Sequence, residues 1–497
     1  MTRLPSICIQ CHSQGRFLLN SKTQEPVLPA AESAEVLLSS RSAGLPDAQA
    51  QADWSRRIST SDQSLLGKFV LWVKKGGLAL LDQGLISGSN FVLSILLARW
   101  LSPEFYGTYA IAFGVYVLLG MVYGALVLEP MTVFGGAAYR SCRRAYCGSL
   151  LWANVAVSLV VCSAVGGSAA ATYALGWGSG LPGALLGVAL ASPCLLLLVF
   201  ARRAFYLEMS PAQAATGSAL YCALMLSGLF VYYRYSSLSP GKVFILLGCA
   251  ALLADVLLLV RLRAELAPGG PAPRLQEIWH RHWRYGRWAL ASCVATWTPT
   301  YIFYPLLSTF SGMAQSGELR ALMNFFSPLD QTLAALSLLF LPYAARVNME
   351  QGRRGVAAFT RNLVILSVTG AAIYWGLLIK FHQPVFRLLY SGKYGQVAYL
   401  LPVLALGSIF WSAGYGPAIA LRAMESPASV FVAYFATTLI SLVAGIPATR
   451  YFGLKGAVWA SNATEVASFL VIMFLLRRKL APAGNSANVL STEGATS

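Results

Sequence analysis

The chain has 497 residues, of which 57% are apolar and 11% charged, and its mean hydropathy is +0.60. Soluble domains are about 45–50% apolar and about 25% charged, so this composition excludes an ordinary soluble enzyme, which would lack material for its surface. The formal charge of +18 lies outside the first 65 residues, because those carry six basic and six acidic side chains. The apolar part of the chain, residues 66–497, therefore carries the whole net positive charge.

The N-terminal segment differs from the rest in composition. Residues 1–66 are rich in Ser, Ala, Gln and Pro and hold no long apolar run, which predicts a disordered cytoplasmic tail. Within it, Cys8-Ile-Gln-Cys11-His12 has the spacing of covalent haem attachment. That chemistry would require export of the tail, and no signal-peptide layout precedes Cys8, so we expect no haem.

From residue 77 onward the sequence contains twelve apolar runs, each close to the about 20 residues that a helix needs to cross a bilayer. Turn-forming pairs such as Ser102-Pro103 and Ser239-Pro240 separate them. Strand-like alternation is absent, which favours an all-α polytopic membrane protein over a barrel. The runs, numbered as spans 1 to 12, lie near 77–99, 106–128, 149–174, 182–201, 216–233, 243–260, 288–310, 320–344, 363–380, 396–420, 429–448 and 456–476.

The distribution of Lys and Arg predicts the orientation of these spans, because basic loops stay on the cytoplasmic side. If span 1 runs outward, 22 basic residues after the tail fall on the inner side and nine on the outer side. Both termini are then cytoplasmic. The longest inner loop, 265–287, is a predicted linker between six-helix lobes at 67–264 and 288–480, and a tail follows at 481–497.

A weak internal similarity supports two related halves. The segment from Ser102 to Gly107, SPEFYG, aligns with the segment from Gly312 to Gly317, GMAQSG, and each follows the first span of its half. Parallel repeats of this kind are typical of two-lobed transporters.

Polar side chains follow one face of span 1. Gln83, Ser87, Asn90 and Ser94 are spaced as neighbours on one side of a helix, with Asp82 beside them. Such residues are expected to face a cavity or a partner, because a charge at the bilayer centre costs about 2.5–3.5 kcal/mol. The alternative is helix packing, in which small polar residues and a glycine pair at positions 84 and 88 let two helices approach.

Span 8 repeats the spacing with Arg320, Asn324, Ser327 and Gln331, and Asp330 lies at its margin. Matching stripes in opposite halves predict one shared wet cavity.

Other ionisable residues inside or beside the spans are candidates for substrate contact or coupling. Glu465 lies in span 12 and Asp255 in span 6. Arg99, Glu129 and Arg422 lie near span ends, where reaching the aqueous interface costs little, so an interfacial role is equally open for them.

Several segments together resemble bacterial polysaccharide or O-antigen flippases of the Wzx type. These belong to the MOP superfamily, which also contains multidrug antiporters and the peptidoglycan-precursor flippase. The similarity covers residues 70–480. It rests on LDQG at 81–84, LARWLSPEFYG at 97–107, LEPM at 128–131, RRAFY at 202–206, LRALMN at 319–324, PLDQ at 328–331 and LRAM at 421–424.

The resemblance implies a V-shaped pair of six-helix lobes in the bacterial inner membrane that alternates between inward-open and outward-open states. It implies a non-enzymatic flippase for undecaprenyl-diphosphate-linked oligosaccharide, serving O-antigen, capsule or exopolysaccharide export. Membrane lipids, a polysaccharide polymerase and glycosyltransferases are the partners it implies, with no nucleic acid. No cofactor is expected, and proton or sodium coupling is left open.

A diphosphate headgroup favours arginine at the cavity mouth, and sugars favour Ser, Asn and Gln. Arg99, Arg320 and Arg422 match motif positions of the resembling family and are its candidate diphosphate contacts. The full candidate set for the substrate cavity or coupling is Asp82, Gln83, Asn90, Arg99, Glu129, Arg320, Asn324, Asp330, Gln331, Arg422 and Glu465.

Two other functions stay open at the level of sequence. A multidrug antiporter of the same superfamily would couple a cation gradient through Asp82, Asp255, Asp330 and Glu465. A membrane glycosyltransferase, polymerase or ligase would need catalytic groups on sizeable outer loops, whereas the predicted outer loops are short. A Walker loop and a metal-ligand cluster are absent from the sequence, which argues against an ATP-driven pump in this chain.

Overall fold

The computed structural model describes residues 76–177, 180–262, 274–424 and 427–481, all within one compact unit, Trp72–Ser497. The predicted N-terminal tail, its Cys8–His12 motif and residues 482–497 of the predicted C-terminal tail lie outside the described residues.

The first six spans are six long helices. Short connections make consecutive helices antiparallel, and four of the five following helices begin with proline at their first or second residue. Span 4 packs against spans 2, 3, 5 and 6. The helices are Gly76–Trp100, Pro103–Gly136, Arg143–Ala174, Leu181–Leu207, Pro211–Tyr235 and Pro240–Leu262. Span 2 contains a π-helical turn, Gly124–Leu128.

The second half is more interrupted. Glycines in the left-handed φ region, Gly352 (φ 60°) and Gly453 (φ 55°), break two long helices between successive spans. The helices are Leu275–Tyr301 and Phe303–Phe310 for span 7, Met313–Met323 and Ser327–Lys380 for spans 8 and 9, Leu401–Ala423 for span 10, Pro427–Val443 for span 11, and Gly445–Leu480 for spans 11 and 12. A short helix, His382–Tyr390, follows span 9 and is called the strap helix below.

The all-helical membrane fold is confirmed. Within the described ranges, nine helices are long and apolar enough to cross a membrane, and Ser429–Val443 is a shorter apolar helix. The twelve predicted runs all lie on helical structure. Spans 7 and 8 are interrupted by turns at 302 and at 324–326, and the helix Pro427–Val443 of span 11 has only 17 residues.

The helix of span 7 begins at Leu275, well before the predicted start at 288, so the second half of the predicted linker 265–287 is helical. Ile278 and His282 explain the difference, since both are buried against the first lobe. This stretch is basic and aromatic, so its helix does not stand out as an apolar run in the sequence.

The loops alternate between two ends of the bundle. The basic end, predicted to be cytoplasmic, carries the connections at 137–142, 208–210 and 352. The far end carries those at 101–102, 311–312 and 391–394.

Candidate functional site

The two predicted lobes, 67–264 and 288–480, contact each other at the far end through the paired glycines of the internal repeat. A Cβ built on Gly107 would overlap the carbonyl oxygen of Met313, and one built on Gly317 would overlap that of Pro103. The contact is reciprocal, as expected where a local two-fold axis relates span 2 to span 8. Glycine is required at both positions because the obstructing atoms are backbone and cannot move aside.

A buried polar cluster lies next to this glycine contact. Ser94 Oγ donates to Asn324 Oδ1 at 2.8 Å, and Asn324 Nδ2 donates to Tyr106 Oη at 2.9 Å and to Tyr390 Oη at 3.3 Å. Tyr106 Oη lies 2.8 Å from Ser94 Oγ, which it can reach as a donor. All four side chains are buried. The cluster therefore joins spans 1 and 2 to span 8 and the strap helix through satisfied hydrogen bonds.

The strap helix and Lys393, three residues after its end, add a second set of contacts across the lobes. Arg99 donates through Nη1 to the carbonyl oxygen of Leu388 at 3.2 Å. Lys393 Nζ donates to the carbonyl oxygens of Arg99, at 2.8 Å, and Leu101, at 3.0 Å. Arg99, a predicted substrate contact, thus takes part in closing the far end. The glycine contact, the polar cluster and these bonds are together called the far-end gate.

Arg320 lies beside the gate, one turn before Asn324. Its guanidinium carbon is 4.6 Å from the ring centroid of Phe113 in the other lobe, a cation–π contact, and its buried Nε has no hydrogen-bond partner among the described residues. None of the three ion pairs within the described ranges includes it. Its charge interacts with four nearby phenols, those of Tyr106, Tyr109, Tyr301 and Tyr304. Arg320 is therefore a half-buried cation, with a buried Nε, that has no acidic partner in the part of the chain that the structure describes.

Below the gate, the two polar stripes lead toward the basic end. Gln83 and Gln331 are exposed and Asn90 is half-buried. A Cβ on Gly84 or Gly88 would meet no atom of the described residues within 4 Å, so none of the described helices packs closely on this glycine pair. The stripes touch where Ser94 meets Asn324, and a shared cavity along the rest of their length stays a prediction.

A cavity of about 280 Å³ lies within the second lobe. The two carboxylates of Asp330 and Glu465 both line it, and neither takes part in the ion pairs of the described ranges. Gln331 Nε2 donates to Asp330 Oδ2 at 3.3 Å. The hydroxyl-bearing lining residues are Thr296, Thr300, Tyr415, Tyr434, Thr437, Thr464 and Ser468. Carboxylates with hydroxyl oxygens in a partly enclosed site can hold a proton or a hard cation.

Asp82 has a different environment from the one the stripe predicts. Its carboxylate accepts from Arg202 Nη2 at 2.8 Å and Nε at 3.2 Å, from Tyr206 Oη at 2.7 Å, and from Ser218 Oγ. Only 1% of Asp82 is exposed. These bonds tie span 1 to spans 4 and 5, so Asp82 is left out of the coupling site proposed below.

Replacing Asp82 with asparagine is expected to destabilise the first lobe, because it leaves the buried Arg202 charge uncompensated at a cost of about 3–5 kcal/mol. Thermal unfolding of the protein in detergent measures this. The double variant Asp82→Asn with Arg202→Gln is the control, since removing both charges should recover part of the lost stability. A single variant as stable as the wild type would contradict a structural role for this ion pair.

Two of the remaining candidates, Glu129 and Asp255, line neither the gate nor the cavity, whereas Arg422 lies next to Tyr434 of the cavity lining. Glu129 is exposed, and Arg422 is exposed with Nη2 at 3.5 Å from Tyr434 Oη. Asp255 is buried, and neither of its carboxylate oxygens has a hydrogen-bond partner within the described ranges. Sequence reasoning missed Tyr106 and Tyr390, whose roles come from contacts between distant segments.

The sequence matches no known family profile and no curated protein. Solved structures do match over most of the chain. An inward-facing conformation of a multidrug resistance MATE family transporter of the MOP superfamily has a TM-score of 0.66 at 12% identity, covering 81% of this chain and 98% of that one. An outward-facing conformation of such a transporter has a TM-score of 0.59 at 11% identity, covering 82% and 95%.

The lipid II flippase MurJ, in an inward closed conformation, has a TM-score of 0.60 at 14% identity, covering 82% of this chain and 87% of that one. At these identities the similarity establishes the fold and leaves the substrate open. The chain therefore has the fold of the MOP superfamily transporters.

Proposed function

We propose that this chain is a flippase that moves undecaprenyl-diphosphate-linked oligosaccharide across the bacterial inner membrane by alternating access. The basic end faces the cytoplasm in this proposal, and both termini lie there. The far-end gate is closed, so the conformation corresponds to a state that receives substrate from the inner leaflet. The higher TM-score with the inward-facing MATE conformation supports this assignment of state.

The proposal rests mainly on the environment of Arg320. Arg320 is half-buried and has no acidic partner among the described residues, so its charge is partly desolvated, and an anion that joined it would offset that cost. Arg320 lies where the lobes meet, so a rocking motion that opens the gate would uncover it. A diphosphate, which carries negative charge and strong acceptor oxygens, is the anion that suits a guanidinium best.

The residues along the proposed path suit the sugar part and the polyprenyl part of the cargo. The amides of Gln83 and Gln331 are exposed on the two stripes and can exchange hydrogen bonds with sugar hydroxyls. Leu80 and Leu81, next to the stripe of span 1, are more than half exposed, which suits a polyprenyl chain that stays in lipid. A MOP-fold protein that flips a lipid, MurJ, is among the structures this chain resembles.

Coupling to an ion gradient is the second element of the proposal. Asp330 and Glu465 would bind a proton or a sodium ion in the cavity of the second lobe. Binding there can bias the rocking of the lobes only if the ion binds one conformation more tightly than the other.

A cation-coupled multidrug antiporter is the second candidate function. The acid-lined cavity and the similarity to MATE transporters favour it. The two functions differ in the charge of the cargo, since a half-buried arginine at the lobe junction suits an anionic lipid and opposes a cationic drug.

Deleting the gene is expected to cause lipid-linked oligosaccharide to accumulate on the inner leaflet, and the wild-type gene should reverse this. Arg320→Gln should restore export at least about tenfold less well, because a hydrogen bond to a charged group contributes about 1.5–3 kcal/mol. Arg346→Gln, at the exposed basic end, is the control and should restore it fully. Absence of accumulation after deletion, combined with drug sensitivity, would exclude the flippase and favour the antiporter.

A further inference from the structure

The first turns of the span 7 helix, Leu275–Arg287, form an amphipathic segment at the basic end. The sequence RLQEIWHRHWRYGR at 274–287 contains four arginines and one acid, Glu277. Ile278 and His282 are buried, whereas the aromatic rings of Trp279, Trp283 and Tyr285 are 41–46% exposed. The segment thus has one face fixed to the protein and another that is basic and aromatic.

His282 fixes this segment to the first lobe. Its Nε2 lies 2.7 Å from Tyr146 Oη, and its Nδ1 lies 3.1 Å from the carbonyl oxygen of Leu126 in the π-helical turn. Burial lowers the pKa of His282 to about 4, so the ring is neutral, donating to Leu126 and accepting from Tyr146. Gly286 packs on the same turn, where a Cβ would lie 2.6 Å from the Ala125 carbonyl oxygen.

A cavity of about 550 Å³ lies beside this fixed face. Its walls are Phe134, at the end of span 2, with His280, Arg281, Arg284 and Tyr285. The ring of Phe134 lies edge-on to that of Tyr285, at 5.9 Å between centroids, so the two aromatic walls touch.

The charge in this cavity is strongly one-sided. Arg281 Nη2 is paired with Glu277 at 2.9 Å, and both side chains are about half exposed, so water screens that pair. Arg284 takes part in none of the ion pairs of the described ranges. Two guanidinium groups and an imidazole therefore line a cavity whose lining contains no acid among the described residues, and the screened Glu277 pairs with one of them.

We propose that this cavity binds the phosphate of an anionic phospholipid headgroup. The phosphate would accept hydrogen bonds from Arg281 and Arg284, and the acyl chains would extend past Trp279 and Trp283. Tryptophan and tyrosine favour the headgroup level of a bilayer, and basic residues at the cytoplasmic surface attract anionic lipid. The walls are preorganised, because His282 and Gly286 hold the segment against span 2. The site is separate from the flippase path and does not depend on it.

Native mass spectrometry of the full-length protein tests the site. The protein would be released from mixed micelles of equal phosphatidylglycerol and phosphatidylcholine, and the lipid retained would be counted. Wild type should retain phosphatidylglycerol preferentially, and Arg281→Ala with Arg284→Ala should lower its retention about tenfold or more. Arg346→Ala with Arg354→Ala removes the same charge from the same end outside the cavity and should retain it like the wild type.

Equal retention by the two double variants would overturn the proposal, whether both lose the lipid or both keep it. Retention of added inorganic phosphate in place of the lipid would overturn it as well. A photoreactive phosphatidylglycerol in nanodiscs gives an independent result with unaltered protein. Its adducts should map to Phe134 or to 279–285, and adducts confined to other segments would contradict the site.

Discussion

Replacing Gly107 with alanine is expected to open the far end and to reduce transport severely. The new Cβ would overlap backbone atoms of Met313 and Gly317, and neither helix can relieve this without moving away. Overpacking of this kind costs about 1–3 kcal/mol, which lowers the population of the gate-closed state by about 5- to 150-fold. A transporter that cannot close one end cannot complete an alternating-access cycle.

A thiol reporter measures the opening directly. Leu101 is 2% exposed, and its carbonyl oxygen accepts from Lys393 across the gate. In a background without native cysteines, Leu101→Cys should resist a membrane-impermeant maleimide added from the far-end side. Adding Gly107→Ala should make it reactive.

Gly120→Ala is the matched control, since it makes the same substitution in the same span where a Cβ meets no atom within 4 Å. It should leave both labelling and transport unchanged. If Gly107→Ala labels no faster than Gly120→Ala, the glycine contact is not part of a gate.

Replacing Glu465 with glutamine, or Asp330 with asparagine, is expected to remove the dependence of transport on an ion gradient. Each amide keeps the shape of the side chain and removes its charge, so the cavity should persist without its ion. Two carboxylates in one partly enclosed cavity repel each other unless a proton or cation sits between them. Substrate transport against a gradient should fall at least about tenfold in either variant.

Proteoliposomes with imposed proton or sodium gradients measure the coupling. Glu350→Gln is the control, since Glu350 is exposed and pairs with Arg346 at 3.9 Å, away from the cavity. It should respond to the gradient like the wild type. Full gradient dependence in both cavity variants would exclude Asp330 and Glu465 from coupling.

The fold was predictable because a bilayer imposes a simple demand on sequence. Every spanning helix needs a long apolar run, and the runs were visible at their observed positions. The internal repeat was also informative, because the aligned Gly107 and Gly317 lie against each other at the far end. The start of span 7 was misplaced because Ile278 and His282 are buried by the first lobe in a stretch that is otherwise basic.

The site was less predictable. Residue spacing along one helix shows which residues share a face, but it does not show which other helix packs against that face. Asp82 lies beside a polar stripe, yet its partners Arg202, Tyr206 and Ser218 come from two other spans. Asn324 was identified from the stripe, but its partners Tyr106 and Tyr390 carry no sequence signal that separates them from interfacial aromatics. Contacts between such distant segments depend on the fold, so the spacing of residues within one segment does not predict them.

Reconstitution of the purified chain into vesicles tests the central claim most directly. A fluorescent undecaprenyl-diphosphate-linked oligosaccharide would be incorporated into both leaflets, and a membrane-impermeant quencher would be added outside. Wild-type protein should let the quencher reach nearly all of the lipid with time, whereas Arg320→Gln should slow this at least about tenfold. If wild-type vesicles keep half of the fluorescence, as protein-free vesicles do, the chain does not flip this lipid.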